Sequence, residues 1–263
     1  MRLISLTFGT LAALACSNVL AYDPQDKVIT RPGSMPIIFS VPHDGDETLG
    51  WMASRSKGTT VRDTGTRELA EKTAEILEKK TGTRPYLVIA KFSRKYLDVN
   101  RKENDALESE DAIPAYRHYH DTLTAYTKEL AQKYAGRALL IDIHGQSDEP
   151  EIIFRGSRNG NTAKRLIKEF GPAALQEEHS ITGLLQSKGY GVFPPVEAGK
   201  NEKEDKRFNG GHIIFAHGSN TPDGIDAIQL EFGKRVREKS ELASDFADAI
   251  INFQKKFLSE KPL

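Results

Sequence analysis

The chain has 263 residues, 38% of them apolar and 28% charged, which is the profile of a soluble globular protein with room for one large core. Lys plus Arg and Asp plus Glu each number 37, so no net field draws nucleic acid or anionic lipid, and nucleic-acid binding is set aside. Cys16 is the only cysteine, so a disulfide framework and a Cys-type zinc site are excluded.

Residues 1–21 open on Met1-Arg2, run apolar from Leu3 to Leu14, and end on Val19-Leu20-Ala21. This predicts a signal peptide cleaved after Ala21, and a secreted or periplasmic protein formed by residues 22–263 as a single domain. The run is too interrupted by polar residues for a membrane span. Leu14-Ala15-Cys16 is loosely like a lipid-attachment signal, but Ala13 stands where a larger aliphatic residue is usual. Removing the segment takes away the only thiol.

Strand-length apolar runs then alternate with longer helical patterns. Strands are expected at 36–42, 85–92, 138–143, 151–154, 212–215 and 227–232. Several lack polar alternation, as strands buried on both faces do. Helices are expected at 64–81, 113–134, 162–170, 173–188 and 240–258, the first closed by Gly82 with Lys79 and Lys80 in its last turn. The charged stretch 194–211 reads as a long surface loop. The alternation predicts a three-layer α/β/α sandwich of the phosphorylase/hydrolase-like kind, around a mixed, mostly parallel central sheet.

Open α/β sheets bind ligands beyond the carboxyl ends of their strands. The first buried strand runs into "SVPHDGDE", where His43, Asp44, Asp46 and Glu47 crowd one turn. The second leads to "SRKYLDVNR", with Asp98, Asn100 and Arg101. The third, "RALLIDIHGQ", ends at His144, and the last, "DAIQLEFG", carries Glu231. Two histidines and a carboxylate suit a catalytic zinc, which takes three protein ligands and keeps one position open. A carboxylate free of the metal is then needed to move protons, and Glu231 fits. Asp142, two residues before His144 on the same strand face, would orient its ring.

Plain structural roles exist for each. His43 can cap a turn beside a solvated acidic loop, His144 can be a satisfied core histidine, and Asp142 can pair with Arg137. Glu231 can pair with Arg235 or Arg237. Their joint placement at strand ends favours a site. The segment Gly156–Gly160 is Gly-rich but lacks a phosphate-loop ending, and no G-x-S-x-G is present. His118 and His120 read as helix-face residues and His179 as a surface residue. His217 is kept as a possible site residue.

The pieces "SVPHDGDE", "RKYLDVNR", "LIDIHGQ", "FNGGHIIFAHGS" and "DAIQLEFG", in that order, resemble the N-formylglutamate amidohydrolases, which belong with zinc carboxypeptidase and aspartoacylase-type hydrolases. They span nearly the whole chain after residue 21, and their wording is similar to a secreted branch of the family. The resemblance implies one zinc per chain and hydrolysis of an amide bond in a small carboxylate-bearing N-acyl amino acid or acidic peptide. By position it implies His43 and His144 as ligands, with Glu47, or its rival Asp46, as the third. Glu231 would be general base and acid, and Arg101 with Asn100 would clamp the substrate carboxylate. Family members commonly carry Arg before the histidine of the last "HG", where this chain has Ala216 before His217. That difference, and the expected export, point to a substrate other than N-formylglutamate. A metallocarboxypeptidase acting on peptides, and a non-catalytic extracellular ligand-binding protein, are the alternatives.

Overall fold

The computed structural model describes residues 22–50, 52–196 and 203–259. The expected signal peptide, and residues 197–202 of the expected loop, lie outside them. The strands are β1 (Val28–Arg31), β2 (Ile37–Val41), β3 (Tyr86–Ala90), β4 (Leu139–Gln146), β5 (Ile152–Gly156), β6 (Gly191–Phe193) and β7 (Asp226–Gly233). They form one sheet in the order β1-β3-β2-β4-β7-β5-β6. The central four, β3, β2, β4 and β7, run parallel, and β1 and β5 run antiparallel to β3 and β7. The helices are α1 (Thr66–Thr81), α2 (Glu103–Ala106), α3 (Ile113–Lys133), α4 (Lys164–Phe170), α5 (Ala173–Gln176), α6 (Ile181–Ser187), α7 (His212–His217), α8 (Lys234–Arg237) and α9 (Leu242–Phe253). This is the expected α/β/α sandwich.

Successive strand side chains point to opposite faces, so the unbroken apolar runs feed two cores. Ile37, Phe39 and Val41 of β2, with Leu139, Ile141 and Ile143 of β4, pack against Leu69 and Leu77 of α1 and Phe246 and Ile250 of α9. Ile38, Val88 and Leu140 face the other way, onto Tyr119 and Leu123 of α3 and Ile213 of α7. Phe246 ties the first layer together, stacked 6.0 Å from Phe39 and edge-on to Phe232 at 5.3 Å. Each such fully buried side chain contributes about 1.5–3 kcal/mol of transfer free energy. α1 ends as expected on Gly82, at φ 73°, whose N–H reaches Glu78 O at 2.8 Å.

Three expectations need correction. Residues 212–215 are not a strand but the start of α7. The first N–H groups of that helix find a partner far away in sequence: Asn100 O accepts from His212 N at 3.3 Å and Asn100 Oδ1 from Ile213 N at 2.9 Å. A four-residue apolar run cannot reveal such a cap. The expected helix over 173–188 is two, α5 and α6, because Ser180 Oγ accepts from Gly183 N at 3.0 Å and starts a new helix. β1 and β6 were not expected; they are short strands at the sheet's two edges, too brief to show a period.

Candidate active site

Parallel strands deliver their carboxyl ends to one edge, and four segments meet there. Pro42 stops the ladder of β2, since it offers no N–H, and His43 turns into the protein. β4 runs on past the expected end and carries His144 in register with Glu231 of β7. The turn after β3 brings Asp98. The fourth segment was not foreseen: the chain returns just before α1, where Asp63 N donates to His43 O at 3.0 Å and puts the Asp63 side chain beside both histidines.

His43 Nδ1, His144 Nδ1 and Asp63 Oδ2 form a tight triangle. The two nitrogens are 3.0 Å apart, and each lies 3.3 Å from the carboxylate oxygen. All three residues are buried. The far nitrogen of each ring is tied to a second carboxylate. His43 Nε2 is 2.7 Å from Asp98 Oδ1, and His144 Nε2 is 2.7 Å from Asp142 Oδ2, with both acids fully buried. An ionised carboxylate only accepts, so the ring protons belong on the Nε2 atoms. Both Nδ1 lone pairs then face each other and the Asp63 oxygen. Three acceptors this close repel unless a proton or a cation sits among them. Vertices of a tetrahedron with arms of about 2.0–2.1 Å lie about 3.3–3.4 Å apart, so the donor set and its spacing fit a zinc ion.

The electrostatics follow the same geometry. Burial pushes the Asp63 carboxyl up, but the His144 and His43 rings beside it, with positive charge shared among the three groups, outweigh burial and hold it far below the usual carboxylate range. Burial disfavours charge on His144, yet Asp142, Glu231 and Asp63 together raise its pKa well above that of a free imidazole. Asp98 is also held low against burial, by His43, Arg94 and Arg55. Arg94 Nε and Arg101 Nε reach Asp98 Oδ2 at 3.1 and 3.2 Å. Glu231 moves the other way: burial chiefly, with Asp63 adding, raises its pKa.

Glu47 and Asp46 do not join the cluster. Glu47 pairs with Lys27 at 2.8 Å and Lys91 at 3.1 Å, and its backbone bridges to Phe92. Asp46 is exposed and pairs with Arg62 at 2.7 Å. The turn after β2 leads these side chains away from His43, and Asp63 stands in the place expected of them. Asp142 does contact His144 as anticipated. Asn100, Arg101 and Glu231 line a cavity of about 580 Å³ together with His43, Asp63 and His144. His217 is not among its lining residues. It is buried on α7, and its Nε2 lies 2.9 Å from His120 Nδ1, with burial holding both rings' pKa values low, at about 3 and about 4. His120 is a half-buried residue of α3 that partners His217.

Asp63, Asp98, Arg94 and Arg237 carry parts of this arrangement that sequence reasoning did not assign. Asp63 in "VRDTG" follows no strand and looks like a helix cap. Arg237 donates through Nε to Thr64 O at 2.9 Å and lies so close over Gly145 that an added Cβ would meet its guanidinium at 2.5 Å. A side chain after His144 would therefore displace the Arg237 guanidinium.

One cavity wall, Arg207 to Gly211, is pinned by Glu204. Its Oε2 accepts from Ser157 N at 2.9 Å and Asn159 N at 2.7 Å, and Arg155 Nη2 lies 3.2 Å from its Oε1. The Gly-rich 156–160 segment, with Arg158 and Asn159 at positive φ, therefore forms an anion nest for the chain's own carboxylate. Glu204→Ala is expected to leave the Arg155 charge buried and unpaired, lowering stability by about 3–5 kcal/mol. A urea denaturation series checks this; a loss below about 1 kcal/mol, the surface-pair range, would refute it.

No protein-family model and no curated protein sequence matches the chain. Among solved structures, it is similar to N-formylglutamate amidohydrolase from Ralstonia eutropha JMP134, with a TM-score of 0.59, 15% identity, and coverage of 88% of this chain and 98% of that one. It is likewise similar to the product of gene Atu2144 from Agrobacterium tumefaciens, with a TM-score of 0.55, 15% identity, and coverage of 88% and 93%. At such identities the likeness shows the shared fold.

Proposed function

We propose that this chain is a zinc-dependent hydrolase that cleaves an amide bond in a small, carboxylate-bearing N-acyl amino acid or acidic peptide. The triangle of His43 Nδ1, His144 Nδ1 and Asp63 Oδ2 beside the unligated Glu231 carries this reading. His43, Asp63 and His144 would hold the zinc, whose Lewis acidity makes water more acidic and polarises a carbonyl. Asp98 and Asp142 keep the two rings in the tautomer that turns Nδ1 inward.

Glu231 takes a proton from water and delivers it to the leaving amine. Gln229 Nε2 donates to its Oε1 at 2.9 Å, which fixes the carboxylate and leaves its other oxygen for the proton. Arg101 is tethered through Nε to Asp98 and its side chain is 40% exposed. Among the described residues no other acid pairs with its guanidinium, which takes the substrate carboxylate at the cavity wall. A cavity of about 580 Å³ is in the range of small-molecule sites, which favours a small substrate over a long peptide. The fold shared with an N-formylglutamate amidohydrolase agrees with amide chemistry, and no described helix is long and apolar enough to cross a membrane. The reading includes export guided by residues 1–21.

The test is a panel of N-acyl amino acids and short acidic peptides, assayed for amine release on native, chelator-stripped and zinc-restored protein. Release that stops on chelation and returns with about one zinc per chain is the expected result. Turnover that survives complete removal of metal would overturn the mechanism.

A further inference from the structure

A serine in the middle of a strand buried on both faces is costly unless its hydroxyl is satisfied. Ser40 is such a residue: it is fully buried within the run Ile37–Val41. It lies in register with Asp142 on the neighbouring strand β4. Its Oγ donates to Asp142 Oδ1 at 2.7 Å, while Tyr119 Oη lies 2.9 Å from the same Oγ. Because Asp142 only accepts, the Ser40 proton is committed to it, and the Tyr119 hydroxyl donates to Ser40, with Val88 O as a longer second acceptor at 3.3 Å. Tyr119 is also fully buried, on α3 across the sheet face. The other Asp142 oxygen faces His144 Nε2 at 2.7 Å.

We infer that Tyr119, Ser40 and Asp142 form a buried positioning relay that aims His144 Nδ1 and sets how tightly the metal is held, an inference that rests on the zinc reading above. The two histidines differ in this respect. Asp98, behind His43, is braced by the guanidiniums of Arg94 and Arg101. Among the described residues Asp142 has no cationic side-chain partner besides His144, so its orientation depends on one hydroxyl chain. With Ser40 gone, the carboxylate can turn about its own bond and the ring loses its fixed acceptor. Outer partners of metal-bound histidines commonly matter by about 10–100-fold in metal affinity.

Zinc affinity of the full chain is measured by chelator competition for wild type, Ser40→Ala, Tyr119→Phe and the double variant. Ser40→Ala is expected to bind zinc about tenfold more weakly. Tyr119→Phe, which keeps the ring that packs the core, should lose less. The double variant should match Ser40→Ala, since groups acting in series do not add. Tyr119→Phe also serves if Ser40→Ala fails to fold. A purely structural role would lower the melting temperature of the metal-free variants and leave zinc affinity unchanged; that pattern overturns the relay while the zinc reading stands. Wild-type protein that takes up no zinc would remove both.

Discussion

Replacing Asp63 by alanine should abolish zinc uptake and turnover, while Glu47→Ala and Asp46→Ala leave both close to wild type. Asp63 Oδ2 is 3.3 Å from each histidine Nδ1, and it brings the only negative charge to the triangle. Losing it leaves two neutral nitrogens, too few for a catalytic zinc site with three protein ligands. The loss should exceed about 100-fold in affinity, the upper figure for loss of an outer partner. Glu47 and Asp46 serve the surface. Their bonds to Lys27, Lys91 and Arg62 are half-exposed pairs worth at most about 1 kcal/mol. Chelator competition on the three variants decides the matter. Zinc retained by Asp63→Ala and lost by Glu47→Ala would restore the assignment expected from the sequence and refute the one drawn from the structure.

Glu231→Gln should lower kcat by about 10²–10⁴-fold, the usual contribution of a positioned proton carrier, with zinc content unchanged. The substitution keeps shape, and its amide oxygen can still accept from Gln229. Only the capacity to take up and give back a proton is removed. The raised pKa of Glu231 has burial as its first cause, and a carboxyl pushed up in this way is better matched to proton transfer near neutrality. kcat and kcat/KM should fall together, because the group acts in the transition state rather than in substrate binding. Turnover within tenfold of wild type would remove Glu231 from the mechanism. A variant that also lost its zinc would instead make Glu231 a ligand.

The sequence and the structure agree most closely where the signal is local. The apolar runs of β2, β3, β4 and β7, lacking polar alternation, already imply strands covered on both sides. Helices α1 and α3 show their period and, for α1, the Gly82 stop. Where the chain is short of residues the period fails, as at β1 and β6, and a four-residue apolar run at 212–215 is read as strand until Asn100 is seen to cap it as α7. Within the cavity, the sequence alone brings His43, His144 and Glu231 to one edge, since parallel strands must end on the same side. Which acid faces the two rings is another matter. The family resemblance points to Glu47 or Asp46, four or three residues from His43, yet a side chain's direction depends on the path of the backbone after Pro42.

What this sequence determined by itself is therefore the layered architecture and the strand-end histidines, because hydrophobic period and strand direction are properties of contiguous residues. Only the tertiary structure decided that Asp63 completes the triangle, that Asp98 stands behind the His43 ring, and that Ser40 and Tyr119 stand behind Asp142. Those contacts join residues 20 to 102 positions apart. They exist because the sheet brings separate strand ends within hydrogen-bond reach, and no spacing along the chain encodes that distance.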